Sequence, residues 1–243
     1  MSKSLSDYLY YHEDNPSIDI YLGDCAEIMP LLPKIDLVVT SPPYGIGKEY
    51  ETFQSLESLI KLMESVIKIS YQILKADGQL TINFQDPFIH KYHIGADYTR
   101  FAREAGFEFS ANRIWKKDPA WMNSPWISCS NYPVLEWEYI WTFSKKNRPL
   151  RKEVARFANR GIWEFRSIKA FSKHPAEYPI GLPKRVIEVY TEPSNTILDP
   201  FLGSGTSLVA AKELKRNGIG IEINEKYAEI AKKRLLNTQV PFL

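Results

Sequence analysis

The sequence predicts an α/β fold in which helices cover both faces of a mostly parallel, twisted sheet. Short apolar runs rich in β-branched residues alternate with amphipathic segments of helical length, which is the pattern of a doubly wound sheet. Two of the apolar runs end directly in turns of small residues or proline. The 243 residues, 44% of them hydrophobic, suffice for one such core, so we expect a single domain over residues 1–243.

The first half of the chain supplies three predicted strands and two predicted helices. The polar residues 1–17 show no clear period and are expected to lead into the first strand. Predicted strands occupy 18–22, 35–40 and 80–84, and predicted helices occupy 56–74 and 97–105. The consecutive prolines Pro42 and Pro43 predict a loop at 45–53.

The second half continues the alternation. Extended segments are predicted at 107–115 and 139–143, on either side of an aromatic insert at 118–126 that has no regular period. Further on, the sequence predicts helices at 183–190, 207–216 and 224–236 and strands at 195–199 and 218–222. Asn224 is the expected N-cap of the last helix.

Composition excludes several classes of protein. No apolar run approaches the roughly 18 to 20 residues that span a membrane, and the N-terminus lacks an apolar signal region. We therefore expect a cytoplasmic protein without a membrane partner. The two cysteines, Cys25 and Cys129, lie far apart and lack metal-ligand spacing. We expect both to be structural, with neither a disulfide nor a metal site.

One segment of the chain concentrates positive charge. Residues 144–173 carry ten basic and two acidic residues, which leaves the rest of the chain net negative. Such a block would attract a polyanion by neutralising its phosphates. A solvated surface segment is the alternative, and charge alone favours neither.

A glycine turn near the C-terminus is the first candidate site. The predicted strand 195–199 ends in Asp199, and Gly203 and Gly205 in the following turn let a ligand approach the backbone closely. Open α/β sheets bind ligands at this end of their strands, so we expect a nucleotide-like cofactor here. A tight turn without a ligand is the alternative.

Glu222 and Leu208 restrict the kind of ligand that this turn can bind. Glu222 ends the next predicted strand about twenty residues later, where a carboxylate can accept from both ribose hydroxyls. Leu208 stands where dinucleotide-binding turns carry a third small residue, and Asp199 would repel a pyrophosphate but attract a cation. S-adenosylmethionine, which combines an ammonium, a sulfonium and a ribose, fits these demands.

A second candidate motif, Ser41-Pro42-Pro43-Tyr44, follows another predicted strand. The prolines stiffen the turn, so the Ser41 hydroxyl and the Pro42 carbonyl can form a pair of acceptors for an exocyclic amine. Tyr44 offers a flat face beside them for the base that carries the amine, as an extruded base requires. A polyproline-type turn or a partner-binding motif is the alternative for these residues taken alone.

Together the two motifs resemble the amino-methylating DNA methyltransferases, which transfer a methyl group to the exocyclic amine of cytosine or adenine. The resemblance includes Gly23-Asp24, residues 40–44 and 174–185, Asp199–Thr206 and Gly220–Glu222, and so covers most of the chain. The catalytic motif precedes the cofactor motif, as in the permuted beta group of that family. The resemblance implies a Rossmann-like methyltransferase fold, S-adenosylmethionine as cofactor and double-stranded DNA as partner.

The resemblance also implies which residues hold the cofactor. Glu222 would hold the ribose of S-adenosylmethionine, Asp24 would lie near its adenine, and the region of His174 would lie beside it. The residues implied to line its methionine and sugar are Asp199, Phe201, Gly203, Ser204, Gly205 and Thr206.

In the same way, the target base would be held by Ser41, Pro42, Pro43 and Tyr44. A serine at the first of these positions usually accompanies methylation of the cytosine amine, so we expect cytosine-N4 specificity, with adenine-N6 as the alternative. Acceptors at Ser41 and Pro42 can turn the lone pair of the amine toward the sulfonium, which makes direct in-line transfer feasible. No covalent enzyme intermediate is needed.

Target recognition in this family usually lies just before the cofactor motif, which here is a short basic insert at about 144–173. The implied DNA contacts are Lys145, Lys146, Arg148, Arg151, Lys152, Arg156 and Arg160, with Arg113, Lys116 and Lys117 as further candidates. The insert is short for a separate recognition domain, so we expect either a brief target or a reading shared with the loop at 45–53 and a second subunit of a homodimer. A restriction-modification system is the expected context. An RNA or protein-glutamine methyltransferase and a nucleic-acid-binding module without catalysis are the competing functions.

Overall fold

The computed structural model describes residues 3–43, 55–86, 92–117, 136–146, 160–165 and 178–240. Within them the strands are β1 (Leu9–Asp14), β2 (Ser17–Leu22), β3 (Ile35–Thr40), β4 (Leu74–Phe84), β5 (Glu108–Lys116), β6 (Trp137–Ser144), β7 (Ile162–Glu164), β8 (Thr196–Asp199) and β9 (Asn217–Glu222). The α-helices are α1 (Cys25–Ile28), α2 (Leu56–Ile73), α3 (Ile94–Ala105), α4 (Gly181–Tyr190), α5 (Thr206–Glu213) and α6 (Glu225–Leu236).

All of these strands belong to one sheet, in the order β1-β2-β9-β8-β3-β4-β6-β5-β7. Its centre, from β2 to β4, is parallel throughout. β1 forms an antiparallel hairpin with β2, β6 runs antiparallel to both β4 and β5, and β7 is parallel to β5. Helices connect parallel neighbours in the sheet, with α2 between β3 and β4 and α5 between β8 and β9, which confirms the predicted α/β architecture.

Helices cover both faces of the sheet. On one face, α2 and α3 bury Leu59, Ile67 and Phe101 against the strands. On the other face, α4 and α5 bury Val186 and Leu208, and α6 packs beside them. Full burial of such a side chain contributes roughly 1.5 to 3 kcal/mol, so the apolar layers on the two faces stabilise the sheet. The polar residues of the candidate motifs lie at the ends of the strands, outside these layers. In the described part of the chain, no helix combines the length and apolarity needed to cross a membrane.

Most predicted elements are confirmed, with corrections to their extent. The polar lead-in contains β1, which periodicity missed because none of its residues is fully buried. β4 begins at Leu74, directly after α2, and passes through a register shift against β3 before the predicted strand. α5 ends at Glu213 and not at Arg216, because Lys215 adopts a left-handed backbone conformation with φ of 60°.

Part of the predicted basic insert belongs to the sheet. Residues Ile162–Glu164 form β7, and the Trp163 side chain is 1% exposed. The guanidinium carbons of Arg113 and Arg185 lie 5.0 and 5.5 Å from the ring centroid of Trp163, in the range of cation–π contacts. A strand therefore interrupts the predicted recognition insert. The predicted loop at 45–53 and the aromatic insert at 118–126 lie outside the described residues.

Candidate active site

The candidate motifs meet at the carboxyl ends of four neighbouring parallel strands. β2 leads into Gly23 and Asp24, β9 ends in Glu222, β8 ends in Asp199, and β3 leads into Ser41. These strands are adjacent in the sheet in the order β2-β9-β8-β3, so their carboxyl ends form one edge. Ligands of open α/β sheets bind at this edge. The structure therefore brings together motifs from both ends of the chain.

Asp199 joins the two main motifs. Its Oδ1 accepts a hydrogen bond from the Thr40 hydroxyl at 2.7 Å and another from the Phe201 backbone N–H at 3.1 Å. Its Oδ2 accepts from the Ser207 hydroxyl at 2.6 Å. Burial raises the pKa of the Asp199 carboxyl, and the hydrogen bonds from Ser207 and Thr40 oppose that rise. One carboxylate thus ties the end of β3 to the turn after β8.

This geometry bears on the role predicted for Asp199. The residue is 2% exposed, and both carboxylate oxygens already face protein donors. Asp199 is therefore better placed to shape the turn than to attract a cationic ligand directly, and its contact with the cofactor stays a prediction. Sequence patterns do not single out Thr40 or Ser207, because threonine at a strand end and serine at a helix start have many other uses.

The turn between Phe201 and Thr206 requires glycine at two positions. Gly203 and Gly205 have φ angles of 54° and 82°, in the left-handed region that favours glycine. A Cβ on Gly205 would also lie 2.7 Å from the Cβ of Ala231 on α6. The turn therefore packs directly on that helix.

Arg234 holds the same turn from the end of α6. Its Nη1 donates to the Ser204 carbonyl oxygen at 2.8 Å, to the Ser204 Oγ at 2.7 Å and to the Thr206 Oγ1 at 3.0 Å. The hydroxyls of Ser204 and Thr206, both predicted to line the cofactor, thus face a protein donor. Sequence reasoning missed Arg234, because a cation in the last turn of a helix is ordinarily attributed to the helix dipole.

Glu222 also contacts the turn. Its Oε2 accepts from the Gly203 N–H at 2.7 Å, and its Oε1 accepts from the Asn224 N–H at 2.9 Å. Burial raises the pKa of the Glu222 carboxyl, and the backbone hydrogen bonds oppose the rise. A carboxylate has about four lone-pair sites, so some acceptor capacity remains beyond the bonds from the Gly203, Asn224 and Ile223 backbone. The residues present therefore fit a ribose at this position.

Glycines on β9 replace the third small residue of a dinucleotide-binding turn. Leu208 is fully buried on α5, and Cβ atoms added to Gly218 and Gly220 would lie 2.7 and 2.8 Å from its methyl groups. Helix α5 therefore approaches the sheet closely without a small residue of its own. Leu208 therefore reflects how the helix packs on the sheet and does not by itself discriminate between ligands.

The motif Ser41-Pro42-Pro43-Tyr44, called the acceptor motif from here on, begins directly after Thr40, the residue that donates to Asp199. Pro42 is buried, and Ser41 and Pro43 are half-buried. The pairing of β3 with β8 thus places the first three residues of the motif next to the turn that follows Asp199. Tyr44 lies outside the described residues, and its stacking role stays a prediction.

Asp24 and Cys25 begin a short helix beside Glu222. Asp24 is exposed, and its carboxylate caps α1 by accepting from the Ala26 N–H at 2.8 Å. Cys25 is 6% exposed, and burial raises the pKa of its thiol to about 12, which makes it a poor nucleophile. Cys129 and His174 lie outside the described residues. Among the residues that are described, no group of three or more His, Cys, Asp or Glu is placed to hold a metal ion.

Lys145, predicted to contact DNA, lies at the opposite edge of the sheet. It follows β6 at the amino end of β4, and its Nζ donates to the carbonyls of Tyr71 at 2.9 Å and Leu74 at 3.2 Å. Burial, followed by the charge of Lys34, lowers the pKa of the Lys145 ammonium. These contacts favour a role in capping the end of α2.

The other basic candidates differ in position. Lys146 adjoins Lys145 at the amino edge of the sheet, and Arg160 is exposed just before β7. Arg113 is 5% exposed and donates to the Tyr190 hydroxyl at 2.7 Å. Because its side chain is buried inside the protein, the structure argues against the predicted contact between Arg113 and DNA. The remaining candidates, Arg148, Arg151, Lys152 and Arg156, lie outside the described residues.

Similar structures place the fold among the S-adenosylmethionine-dependent methyltransferases. The Thermus thermophilus protein TTHA0409, in its complex with S-adenosyl-L-methionine, superposes with a TM-score of 0.70 and 26% identity over 92% of this chain and 96% of its own. The M1.HpyAVI–SAM complex superposes with a TM-score of 0.68 and 28% identity over 90% and 98% of the two chains. PvuII DNA methyltransferase (cytosine-N4-specific), at 22% identity, 92% and 88% coverage and a TM-score of 0.74, shows likeness of fold.

Sequence relatives define the family within that class. The model of the N6/N4 DNA methylases matches residues 35–233. The Type II methyltransferase M.BglI of Bacillus subtilis is 32% identical over 88% of this chain and 84% of its own. M.ScaI of Streptomyces caespitosus, also a Type II methyltransferase, is 29% identical over 93% and 83% of the two chains. The chain belongs to this family and is an S-adenosylmethionine-dependent DNA methyltransferase.

Proposed function

We propose that the chain methylates the exocyclic N4 amine of cytosine at a specific site in double-stranded DNA, with adenine N6 as the alternative. The observation that carries the proposal is the position of Ser41–Pro43 beside the cofactor turn, directly after the 2.7 Å Thr40–Asp199 hydrogen bond. Serine at the first position of the motif favours cytosine over adenine in this family. Aspartate or asparagine at that position usually accompanies adenine.

Bound S-adenosylmethionine supplies an electrophilic methyl group on a sulfonium. Glu222 would hold the ribose with the acceptor capacity that Gly203 and Asn224 leave open. The Ser41 hydroxyl and the Pro42 carbonyl would accept from the amine N–H groups, which turns the nitrogen lone pair toward the methyl group. The N–H proton that the methylated amine loses would leave along these acceptors to solvent. Such positioning alone can supply roughly 7 to 11 kcal/mol of the barrier, so no covalent intermediate with the enzyme is required. The buried Cys25 thiol agrees with this mechanism.

The relatives support a biological context for the reaction. M.BglI and M.ScaI are Type II methyltransferases, so we propose that this chain is the modification enzyme of a restriction-modification system. In this proposal the protein is cytoplasmic, one catalytic domain spans residues 1–243, and a homodimer shares the reading of the target. Arg160 and the basic residues between 147 and 159 would contact DNA phosphates.

Nucleoside analysis tests the proposed base. The full chain is incubated with methyl-labelled S-adenosylmethionine and unmethylated duplex DNA, and the DNA is then digested to nucleosides. Label on the cytosine amine is expected, label on the adenine amine would transfer the assignment to the alternative, and absence of label from all DNA would refute both. Single-stranded DNA, RNA and a glutamine-containing peptide serve as control substrates.

A Ser41→Ala variant tests the acceptor role separately. Loss of one hydrogen bond to the reacting amine should lower kcat by roughly tenfold or more. The affinity for S-adenosylmethionine, measured by calorimetry without DNA, should stay unchanged, because Ser41 belongs to the other half of the site. Full activity in this variant would refute the role of Ser41 in holding the amine.

A further inference from the structure

We propose that Arg234 is a positioning residue for S-adenosylmethionine and sets the affinity for the cofactor without touching it. This inference rests on the proposed placement of the cofactor at the turn from Gly203 to Thr206. A single guanidinium nitrogen, Nη1, bonds to one backbone carbonyl and two hydroxyls of that turn at 2.7 to 3.0 Å. Arg234 is half-buried, and Ser204 and Thr206 are 5% and 4% exposed, so water competes poorly for these bonds.

Each residue of the turn has its own anchor, and Arg234 provides two of them. Glu222 accepts from the Gly203 N–H at 2.7 Å, and Ala231 packs against Gly205. Ser204 and Thr206 are held by Arg234. Without Arg234, the Ser204 carbonyl and the hydroxyls of Ser204 and Thr206 would lose this shared donor.

Helix α6 connects this anchor to the carboxylate that would hold the ribose. At the start of the helix, the backbone N–H of its N-cap, Asn224, donates to Glu222 at 2.9 Å. Toward its end, Ala231 and Arg234 lie three residues apart on one face, and both contact the turn. The helix thereby links the Glu222 carboxylate and the glycine turn as one preorganised unit.

The effect on binding follows from the population of the competent turn. Gly203 and Gly205 have left-handed φ angles, and glycine has more conformational freedom to lose on ordering than any other residue. The apparent dissociation constant equals the intrinsic one divided by the fraction of protein in the competent conformation. If loss of Arg234 reduces that fraction to about one tenth, affinity for S-adenosylmethionine falls about tenfold. Once the cofactor is bound, the turn is ordered, and kcat should change little.

The experiment compares Arg234→Ala and Arg234→Lys with Lys233→Ala in the full-length protein. Lys233 is the adjacent cation on α6 and pairs with Glu229 at 3.4 Å, so its removal changes charge and helix composition without touching the turn. Calorimetry gives the dissociation constant for S-adenosylmethionine, steady-state kinetics give KM and kcat, and thermal unfolding gives Tm. All binding is measured well below the lowest Tm.

Arg234→Ala should raise both the dissociation constant and the KM for S-adenosylmethionine about tenfold, with kcat at saturation within about twofold of the wild type. Arg234→Lys, which keeps the charge and part of the donor capacity, should bind with intermediate affinity. Lys233→Ala should match the wild type. A lowered Tm in Arg234→Ala with unchanged affinity, or a loss confined to kcat, would overturn the proposal. A wild-type protein with no affinity for the cofactor would instead refute the cofactor assignment itself.

Discussion

Removal of the Ser207 hydroxyl tests whether the buried Asp199 carboxylate is the junction between the two halves of the site. Ser207 is 1% exposed and donates to the Asp199 Oδ2 at 2.6 Å. In Ser207→Ala this oxygen stays buried and loses that donor. A hydrogen bond to a charged group contributes roughly 1.5 to 3 kcal/mol, so the free energy of unfolding should fall by that amount.

Ser70→Ala is a matched control. Ser70 is fully buried, and its hydroxyl donates at 2.6 Å to the Val66 carbonyl, one turn earlier in α2. The acceptor here is neutral and lies within a helix, where such bonds stabilise little and alanine has the higher helix propensity. We expect this variant to stay within about 0.5 kcal/mol of the wild type. Both variants remove one oxygen from a buried serine, and the charge of the acceptor differs.

Urea unfolding followed by tryptophan fluorescence gives the free energy of unfolding of both variants, and thermal unfolding gives their Tm. For a domain of this size, 1 kcal/mol corresponds to roughly 2 to 4 °C in Tm, so the Tm of Ser207→Ala should lie roughly 3 to 12 °C below that of the wild type. Its KM for S-adenosylmethionine should also rise, because Ser207 directly follows the cofactor turn. If Ser207→Ala is as stable as Ser70→Ala, Asp199 is not the junction inferred from these contacts.

Three further predictions follow from the contacts around the site. Gly205→Ala places a Cβ 2.7 Å from the Cβ of Ala231 at a φ of 82°, so affinity for S-adenosylmethionine should fall at least about tenfold in calorimetry. Adding Ala231→Gly should restore part of that affinity, and no recovery would contradict the packing argument. Because the pKa of Glu222 is raised from its ordinary value, the affinity of the wild type for S-adenosylmethionine should weaken as the pH falls through that raised pKa, where the carboxylate gains a proton and loses acceptor capacity. Glu222→Gln should bind S-adenosylmethionine weakly, and its affinity should depend less on pH. Parallel pH profiles of the two proteins would exclude Glu222 as the titrating group. Lys145→Ala should lower the free energy of unfolding by about 1 kcal/mol and leave the KM for DNA unchanged, whereas a raised KM for DNA would restore Lys145 as a DNA contact.

The sequence predicts the parallel centre of the sheet better than its edges. β3, β8 and β9 are buried along most of their length and β2 buries Ile18, Ile20 and Tyr21, and the structure confirms all four predicted strands. β1 has no fully buried residue, so no apolar period marks it. β7 has only three residues, with Trp163 as the single buried one, inside a segment dominated by basic charge. Edge strands therefore escape periodicity because their burial is partial or brief.

The same limit applies to the candidate site. Local motifs predict which residues meet at the carboxyl edge, since Ser41, Asp199 and Glu222 each follow or end an apolar run. They do not predict what those side chains contact, because one of the donors to Asp199 is Thr40, 159 residues away. Arg234 anchors Ser204 from 30 residues away. The charge of Asp199 predicts contact with a cationic ligand. In the folded protein, hydroxyl and backbone donors already bind both of its carboxylate oxygens.

The adjacency of β3 and β8 explains how the acceptor motif can precede the cofactor motif in the chain. The two strands pair in parallel through Leu37 with Ile197 and Val38 with Leu198, which places Thr40 level with the turn after Asp199. The position of Ser41 next to the turn after Asp199 depends on this pairing and on the buried hydrogen bond at its end. The strand pairing and the hydrogen bond do not depend on the order of the two strands in the chain, because a different order changes only the connecting loops. A circular permutation that kept both strands intact should therefore keep the Thr40–Asp199 junction, whereas a register shift of one residue between β3 and β8 would turn Thr40 to the opposite face and separate the two motifs.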